Sequence, residues 1–206
     1  FSILCHASPD AGWPTLEKFL AGTQHRLTIG LYDFTAEHIL ETLNANLLGP
    51  RTLTITLDNP PKNRRADQTD VETLEALRNQ LGGSLLAAWA LNRMNRQVKR
   101  WVFPSAYHIK VAVRDGKALW LSSGNWNNGN QPNFDPIGAP SDQDQEIARN
   151  SDRDWHVIIE DEDLAGVFEA YLRHDYEVAR AEAEAGGAPE VLAATPAVEV
   201  PVLFAA

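Results

Sequence analysis

A histidine, a lysine, a serine and an asparagine fall within 18 residues of this chain, as His108, Lys110, Ser123 and Asn125. A neutral imidazole is a nucleophile, whereas a lysine ammonium and a carboxamide N–H stabilise negative charge on oxygen. Lysine is cationic and no second His or Cys lies close by, so the set does not resemble a metal site. Attack of the histidine on phosphorus, with the developing charge held by Lys110 and Asn125, is a coherent interpretation of these residue types.

A β-hairpin is predicted to position these side chains. Residues 108–113 alternate between polar and apolar side chains, which is typical of a strand with one apolar face. Asp115-Gly116 is a strong signal for a two-residue turn, and residues 118–122 form a second short apolar run. The sequence therefore predicts two short antiparallel strands joined by a tight turn.

A two-residue turn at Asp115-Gly116 also determines which residues are expected to pair across the hairpin. Side chains that lie directly opposite one another share a face of the sheet, and a slip of one residue would separate them. We therefore expect His108, Lys110 and Ser123 to cluster, with Asn125 just beyond the strand end. The expected pairs across the hairpin are Arg114 with Lys117, Lys110 with Leu121, and His108 with Ser123.

The pattern resembles the signature of the phospholipase D superfamily: His-x-Lys, four residues, Asp, then a Gly/Ser-Ser-x-Asn run. A match of all five residue types at these offsets has a chance probability on the order of one in ten thousand or less. The chain departs from the signature at Ser122, where the run ordinarily begins with glycine. A hairpin with ordinary polar residues on its exposed face would explain any one of the five, but not all of them together.

The resemblance implies a fold and a metal-independent reaction without a cofactor. The fold is α/β, with a mixed central β-sheet flanked by helices on both faces. In the reaction, His108 attacks a phosphodiester and forms a phosphohistidine, while Lys110, Asn125 and Ser123 hold the non-bridging oxygens. The family pairs an acidic residue before an apolar strand with the catalytic histidine, and Asp154 matches that position. Asp115 is expected to lock the turn.

The resemblance also implies a partner, because the family takes the proton for the leaving group from the histidine of a second motif. This chain carries one motif copy, so we expect the site to be completed by a homodimer partner or by a second phospholipase D-like domain. The predicted domain covers residues 1–187, and the Ala-, Pro- and Val-rich residues 188–206 are interpreted as a linker or tail. This tail, and a start at Phe1 rather than Met, favour a domain excised from a longer chain.

The net charge of the chain bears on the class of substrate that it is expected to bind. The net charge is −10, which is unfavourable for unspecific binding to a polyanion. We therefore expect a lipid or small-molecule phosphodiester, with nuclease activity of the same superfamily and a non-catalytic assembly module as alternatives. The basic segment at 93–100 favours the nuclease alternative, whereas the basic run at 62–65 is interpreted either as a solvated loop or as a contact for a phosphate-bearing substrate. No apolar run is long enough to span a membrane, and the single Cys5 does not indicate a compartment.

A further helix, a strand and a long loop are predicted elsewhere in the chain. A helix is expected over Leu85, Leu86, Trp89 and Met94, and a strand at 98–103. Residues 126–150 read as a long polar loop beginning where the motif ends, and such loops are often functional. His156 is interpreted as structural. The candidates for substrate contact in this loop are Trp126, Asn127, Asn128, Gln131 and Phe134.

Overall fold

The computed structural model describes residues 1–58, 69–90, 106–136 and 140–184. Several predictions fall outside these ranges and remain predictions. They are the basic segments at 62–65 and 93–100, the strand at 98–103, and the linker or tail at 188–206.

Seven strands and five α-helices follow one another in the described ranges. They are β1 (Ser2–Ser8), α1 (Gly12–Ala21), β2 (Arg26–Leu31), α2 (Glu37–Asn46), β3 (Thr52–Leu57), α3 (Asp70–Leu81), β4 (Leu85–Trp89), β5 (Lys110–Arg114), β6 (Ala118–Ser122), α4 (Asp142–Arg149), β7 (Asp154–Glu160) and α5 (Glu162–Glu184). Thr69 and Ser141 begin α3 and α4 with capping boxes, in which the hydroxyl accepts a backbone N–H that the helix leaves free.

The strands form one mixed sheet in the order β1-β7-β6-β5-β2-β3-β4. The three strands β2, β3 and β4 are parallel, and the remaining neighbours are antiparallel. The parallel β2–α2–β3 crossover follows from the alternation of apolar strands with an amphipathic helix. The motif hairpin, β5 and β6, lies in the middle of the sheet, where strands on both sides fix it.

Apolar side chains on the two faces of the sheet meet different helices. Ala112, Trp120 and Ile158 face the large core formed with α1, α2 and α3. Val111, Val113 and Leu119 point to the opposite face, where they pack with Ala165 and Leu172 of α5. Helices therefore cover both faces of a mixed sheet, and the predicted fold class is confirmed. No helix within the described residues has an apolar stretch that could cross a lipid bilayer.

The hairpin exists, but its predicted register was wrong by one residue. Arg114 pairs with Ala118 rather than Lys117, and Val111 rather than Lys110 lies opposite Leu121. Lys117 N–H still donates to Arg114 O, but Lys117 O accepts from Asp161 N. Three residues, Asp115 to Lys117, therefore lie between the last paired residues of the two strands. The Asp161 partner of Lys117 lies too far along the chain for a local turn signal to reveal it.

Two other local predictions were wrong. The residues Leu85 to Trp89 form strand β4 rather than a helix, because β3 offers them a parallel edge that apolar periodicity alone cannot reveal. The long loop after the motif is interrupted by α4, which begins at the Ser141 capping box. The loop that lines the motif is therefore shorter than the sequence predicts.

Candidate active site

His108 and Lys110 lie at the start of β5 and are in direct contact. Nζ of Lys110 lies 3.2 Å from Nε2 of His108. A lysine ammonium can only donate, so Nε2 is the acceptor and the imidazole is held with its lone pair toward the lysine. His108 is exposed, and its ring packs edge-on against Tyr32, with centroids 4.6 Å apart. The predicted nucleophile is therefore open to solvent and carries a cation beside its attacking atom.

The ammonium of Lys110 is largely removed from solvent. The residue is 5% exposed, and its Nζ lies 5.3 Å from the centre of the Tyr32 ring. Burial lowers the pKa of Lys110, while the carboxylates of Asp154 and Asp33 act in the opposite direction. The two carboxylates therefore offset part of the cost of burying this cation.

Ser123 belongs to a network centred on Asp154. Its hydroxyl donates to Oδ1 of Asp154 over 2.7 Å and accepts from the backbone N–H of Trp155. Asn130 donates to the other carboxylate oxygen, also over 2.7 Å. Among the described residues, these side chains supply the hydrogen bonds to Asp154. The expected direct hydrogen bond between His108 and Asp154 is therefore not present among these described residues. Asp154 acts on the His108–Lys110 pair through its charge, which raises the pKa of Lys110.

Asn125 follows the turn that ends β6. Its Oδ1 is buried without a hydrogen-bond partner among the described residues. A buried amide oxygen without a partner costs free energy. The N–H₂ group of the same side chain is a donor of the kind that suits a phosphoryl oxygen.

Three candidates for substrate contact lie in the interior instead. Trp126 is fully buried and packs against Phe34 and Trp120. Gln131 is also fully buried, with its amide nitrogen 3.4 Å from Nε2 of His156. Phe134 is 8% exposed. These three predictions were wrong because a polar loop sequence does not reveal which of its side chains pack into the interior.

Asn127, another candidate for substrate contact, forms its hydrogen bonds within the protein. Its Nδ2 donates to Oδ2 of Asp33 over 2.7 Å, and its Oδ1 accepts from Asn130 N. Burial raises the pKa of Asp33, while the hydrogen bond from Asn127 and the charge of Lys110 lower it. Asn127 thus positions one carboxylate beside Lys110.

Asp115 lies in the turn, but its carboxylate binds backbone groups far along the chain rather than the backbone of the turn itself. It adopts a φ of 57° and Gly116 a φ of 68°, the left-handed region that Asp and Gly tolerate best. Its carboxylate accepts the backbone N–H groups of Gln24, His25 and Arg26 at 2.7–2.9 Å. The motif aspartate therefore ties the hairpin to the start of β2, at the opposite end from His108.

Sequence reasoning missed Asp33 and Asn130, which support Lys110 and Asp154. The only signal for Asp33 is its place at the end of a parallel strand, where polar side chains often meet a site. Asn130 carries no motif. No cluster of three or more metal-binding side chains occurs within the described ranges.

No family model matches the chain, and no curated protein matches it. Solved structures do match. Nuc from Salmonella typhimurium, described as a phospholipase D family member, aligns at a TM-score of 0.59 and 17% identity over 85% of this chain and 94% of Nuc. NucT from Helicobacter pylori aligns at 0.61 and 14% identity over 85% of this chain and 96% of NucT.

A third match is to part of a larger protein. The phosphatidylserine synthase of Haemophilus influenzae aligns at a TM-score of 0.53 and 14% identity, over 85% of this chain and 38% of the synthase. At such identities the likeness concerns the fold. The mixed sheet, its flanking helices and these alignments together identify the chain as having the fold of the phospholipase D superfamily.

Proposed function

We propose that this protein is a phosphodiester hydrolase or phosphatidyltransferase-type enzyme that acts through a phosphohistidine on His108. The observation that supports this most directly is the 3.2 Å approach of Lys110 Nζ to His108 Nε2 in an open position. A nucleophile and a cation at this distance can engage one phosphoryl group together, because the ammonium neutralises the oxygens while the imidazole attacks phosphorus.

The proposed reaction has two displacements. Nε2 of His108 bonds to phosphorus as the bond to the leaving oxygen breaks, and that oxygen takes a proton from the histidine of a second motif. Water, or an alcohol in a transfer reaction, then attacks phosphorus and returns a proton to that second histidine, while the P–N bond breaks. Lys110 and Asn125 stabilise the charge in both steps. The charge of Asp154 raises the pKa of Lys110, and its carboxylate accepts a hydrogen bond from the Ser123 hydroxyl.

We propose that the second motif comes from a second copy of this chain. Trp155 is 69% exposed and Ile3 is 54% exposed, and both lie on the α5 face of the sheet, on the neighbouring strands β7 and β1. The backbone N–H of Trp155 donates to Ser123 Oγ, so this apolar surface begins at the site. Exposed large apolar side chains beside an incomplete site fit an interface. A sister domain in a longer chain would use the same surface.

The described surface near the motif loop favours a small or lipid phosphodiester over a nucleic acid. A groove of about 470 Å³ runs between this loop and α4, and Glu146 lies in its wall. A neighbouring groove of about 310 Å³ contains Glu37 and Glu41. Carboxylates in both grooves repel a polyanion. The nuclease alternative would gain support from DNA binding that weakens steeply with added salt, and the assembly-module alternative from a complete lack of turnover.

The test is hydrolysis of bis(4-nitrophenyl) phosphate in the presence of a chelator, with trapping of ³²P label on the protein. We expect turnover by the wild type, acid-labile label on His108, and loss of both in His108→Ala. His25→Ala is the matched control, since His25 is also exposed and lies outside the proposed chemistry. Turnover retained by His108→Ala, or none by the wild type across a panel of phosphodiesters, contradicts the proposal.

A further inference from the structure

Ser122 and His156 lie near the motif, have no part in the proposed chemistry, and are hydrogen-bonded to each other. Ser122 replaces the glycine with which the family run begins, and His156 lies in the core of the sheet. Their side chains meet at 2.7 Å, between Ser122 Oγ and His156 Nδ1. The departure from the motif therefore comes with a partner 34 residues along the chain.

The hydroxyl of Ser122 closes the turn that carries the motif. It donates to the carbonyl of Gly124 over 3.0 Å and accepts the N–H of the same residue over 2.8 Å. A Cβ at Gly124 would lie 2.7 Å from the carboxylate carbon of Asp154, so the turn is also packed closely from the other side. Ser123 and Asn125 flank Gly124, and their directions depend on this turn.

The same hydrogen bonds determine which imidazole nitrogen of His156 carries the proton. The single proton of Ser122 goes to the Gly124 carbonyl, so Ser122 accepts from His156 and Nδ1 is the protonated nitrogen. Nε2 then accepts from the hydroxyl of Ser8, which lies 2.8 Å away. A neutral His156 thus connects the edge strand β1 to the motif turn, with one donor and one acceptor both used.

The surroundings keep His156 neutral. It is 4% exposed and stacks with Trp120 and His6. Burial lowers its pKa to about 4, the charge of His6 lowers it as well, and Asp154 opposes both. The titratable groups that face it are therefore His6 from β1 and Asp154 from its own strand, while β6 and the motif loop present Ser122, Trp120 and Gln131.

We infer that His156 is a positioning residue of the proposed active site, which acts through Ser122 to hold the turn that presents Ser123 and Asn125 to the substrate. The inference rests on the proposed function for its catalytic consequence. A residue that merely fills the core would affect folding stability, whereas this role predicts that His156 and Ser122 act as one unit on turnover.

A double-mutant cycle tests this with Ser122→Ala and His156→Phe in the full chain. We expect each single variant to lower kcat about ten-fold, the size expected for one lost hydrogen bond, with little change in KM. The double variant should lose no more than either single one. His156→Asn can still donate to Ser122 and should recover most of kcat. His6→Phe is the matched control: His6 stacks on His156 but is not bonded to Ser122, so its kcat should stay at the wild-type value.

Hydrogen exchange at the Gly124 amide gives a readout independent of activity. We expect faster exchange in Ser122→Ala and His156→Phe, and near wild-type exchange in His156→Asn and His6→Phe. The inference would be overturned if the loss of kcat in the double variant equalled the product of the two single losses. It would also be overturned if hydrogen exchange at Gly124 were unchanged in His156→Phe. If His156→Phe does not fold, Ser122→Ala and His156→Asn decide: unchanged Gly124 exchange in Ser122→Ala, or His156→Asn as impaired as Ser122→Ala, overturns it. A wild type without turnover would contradict the proposed function alone, since exchange still measures the positioning.

Discussion

The ammonium of Lys110 lies 3.2 Å from Nε2 of His108, on the nitrogen that would attack phosphorus. In the free protein, this contact covers the lone pair of the imidazole. A phosphoryl group that enters the site would draw the ammonium to its own oxygens, because an anion is a stronger acceptor than a neutral ring nitrogen. Substrate would thereby uncover the nucleophile that it is about to meet.

Replacement of Lys110 tests this pair. Lys110→Met removes the charge in a site that is largely closed to water, so we expect kcat for bis(4-nitrophenyl) phosphate to fall by about 10²–10³. Lys117→Met is the control, since Lys117 is an exposed lysine of the same hairpin whose charge pairs with Glu162. Activity of Lys110→Met within a few-fold of the wild type would remove Lys110 from the mechanism.

The alkaline limit of activity should follow the carboxylates beside Lys110. Burial lowers the pKa of Lys110, and Asp154 and Asp33 raise it. Asp33→Asn removes one negative charge, so the pKa of Lys110 falls further and the ammonium is lost at lower pH. We expect the alkaline limb of kcat/KM to move to lower pH in Asp33→Asn and to stay in place in Asp163→Asn, at the exposed start of α5. A shift to higher pH in Asp33→Asn would contradict this account.

Asp70 should make folding stability depend on pH near neutrality. Burial raises its pKa to about 7, and the charges of Asp33 and Asp58 add to this, although the N–H of Phe34 binds its carboxylate. A carboxyl with a raised pKa stabilises the fold fully below the unfolded value of 3.8, and this contribution is lost as the pH rises through about 7. Relative to Asp70→Asn, the wild type should lose up to about 1.4 kcal/mol per pH unit between these values.

Urea unfolding of both proteins from pH 5 to 8 measures this difference directly. Asn can still accept the Phe34 N–H, so Asp70→Asn should be the more stable protein at pH 8. The buried His6 and His156, whose pKa values are lowered to about 4, act in the opposite sense and are common to both proteins. Parallel stability curves for the two proteins would show that Asp70 is ionised throughout.

The exposed apolar surface on β1 and β7 predicts a dimer that depends on Trp155. We expect the wild type to sediment as a dimer and Trp155→Asp as a folded, inactive monomer, because a charge in an apolar contact is costly. Leu48→Asp is the matched control, since Leu48 is 50% exposed and lies between α2 and β3. A wild type that is monomeric yet active would argue against completion of the site by a second copy.

Local patterns predicted the hairpin because its signals lie in adjacent residues, and Ala118–Ser122 forms the predicted strand. The register was not predictable, since the Asp161 N–H that binds Lys117 O lies 44 residues away. For the same reason β4 looked like a helix: a short apolar run fits either structure until a neighbouring strand pairs with it. The network of Asp154 with Ser123 and Asn130 likewise depends on tertiary contacts.

The anchoring of Asp115 to the backbone of residues 24–26 has a practical consequence for protein engineering. The 108–125 segment would not keep its turn if it were grafted alone into another protein, because backbone N–H groups from a different part of the chain bind Asp115 in that turn. A graft would have to carry the α1–β2 connection with it, or supply three converging N–H groups of its own. Designers who copy only the contiguous motif would transfer the reactive side chains without the hydrogen bonds that complete its turn.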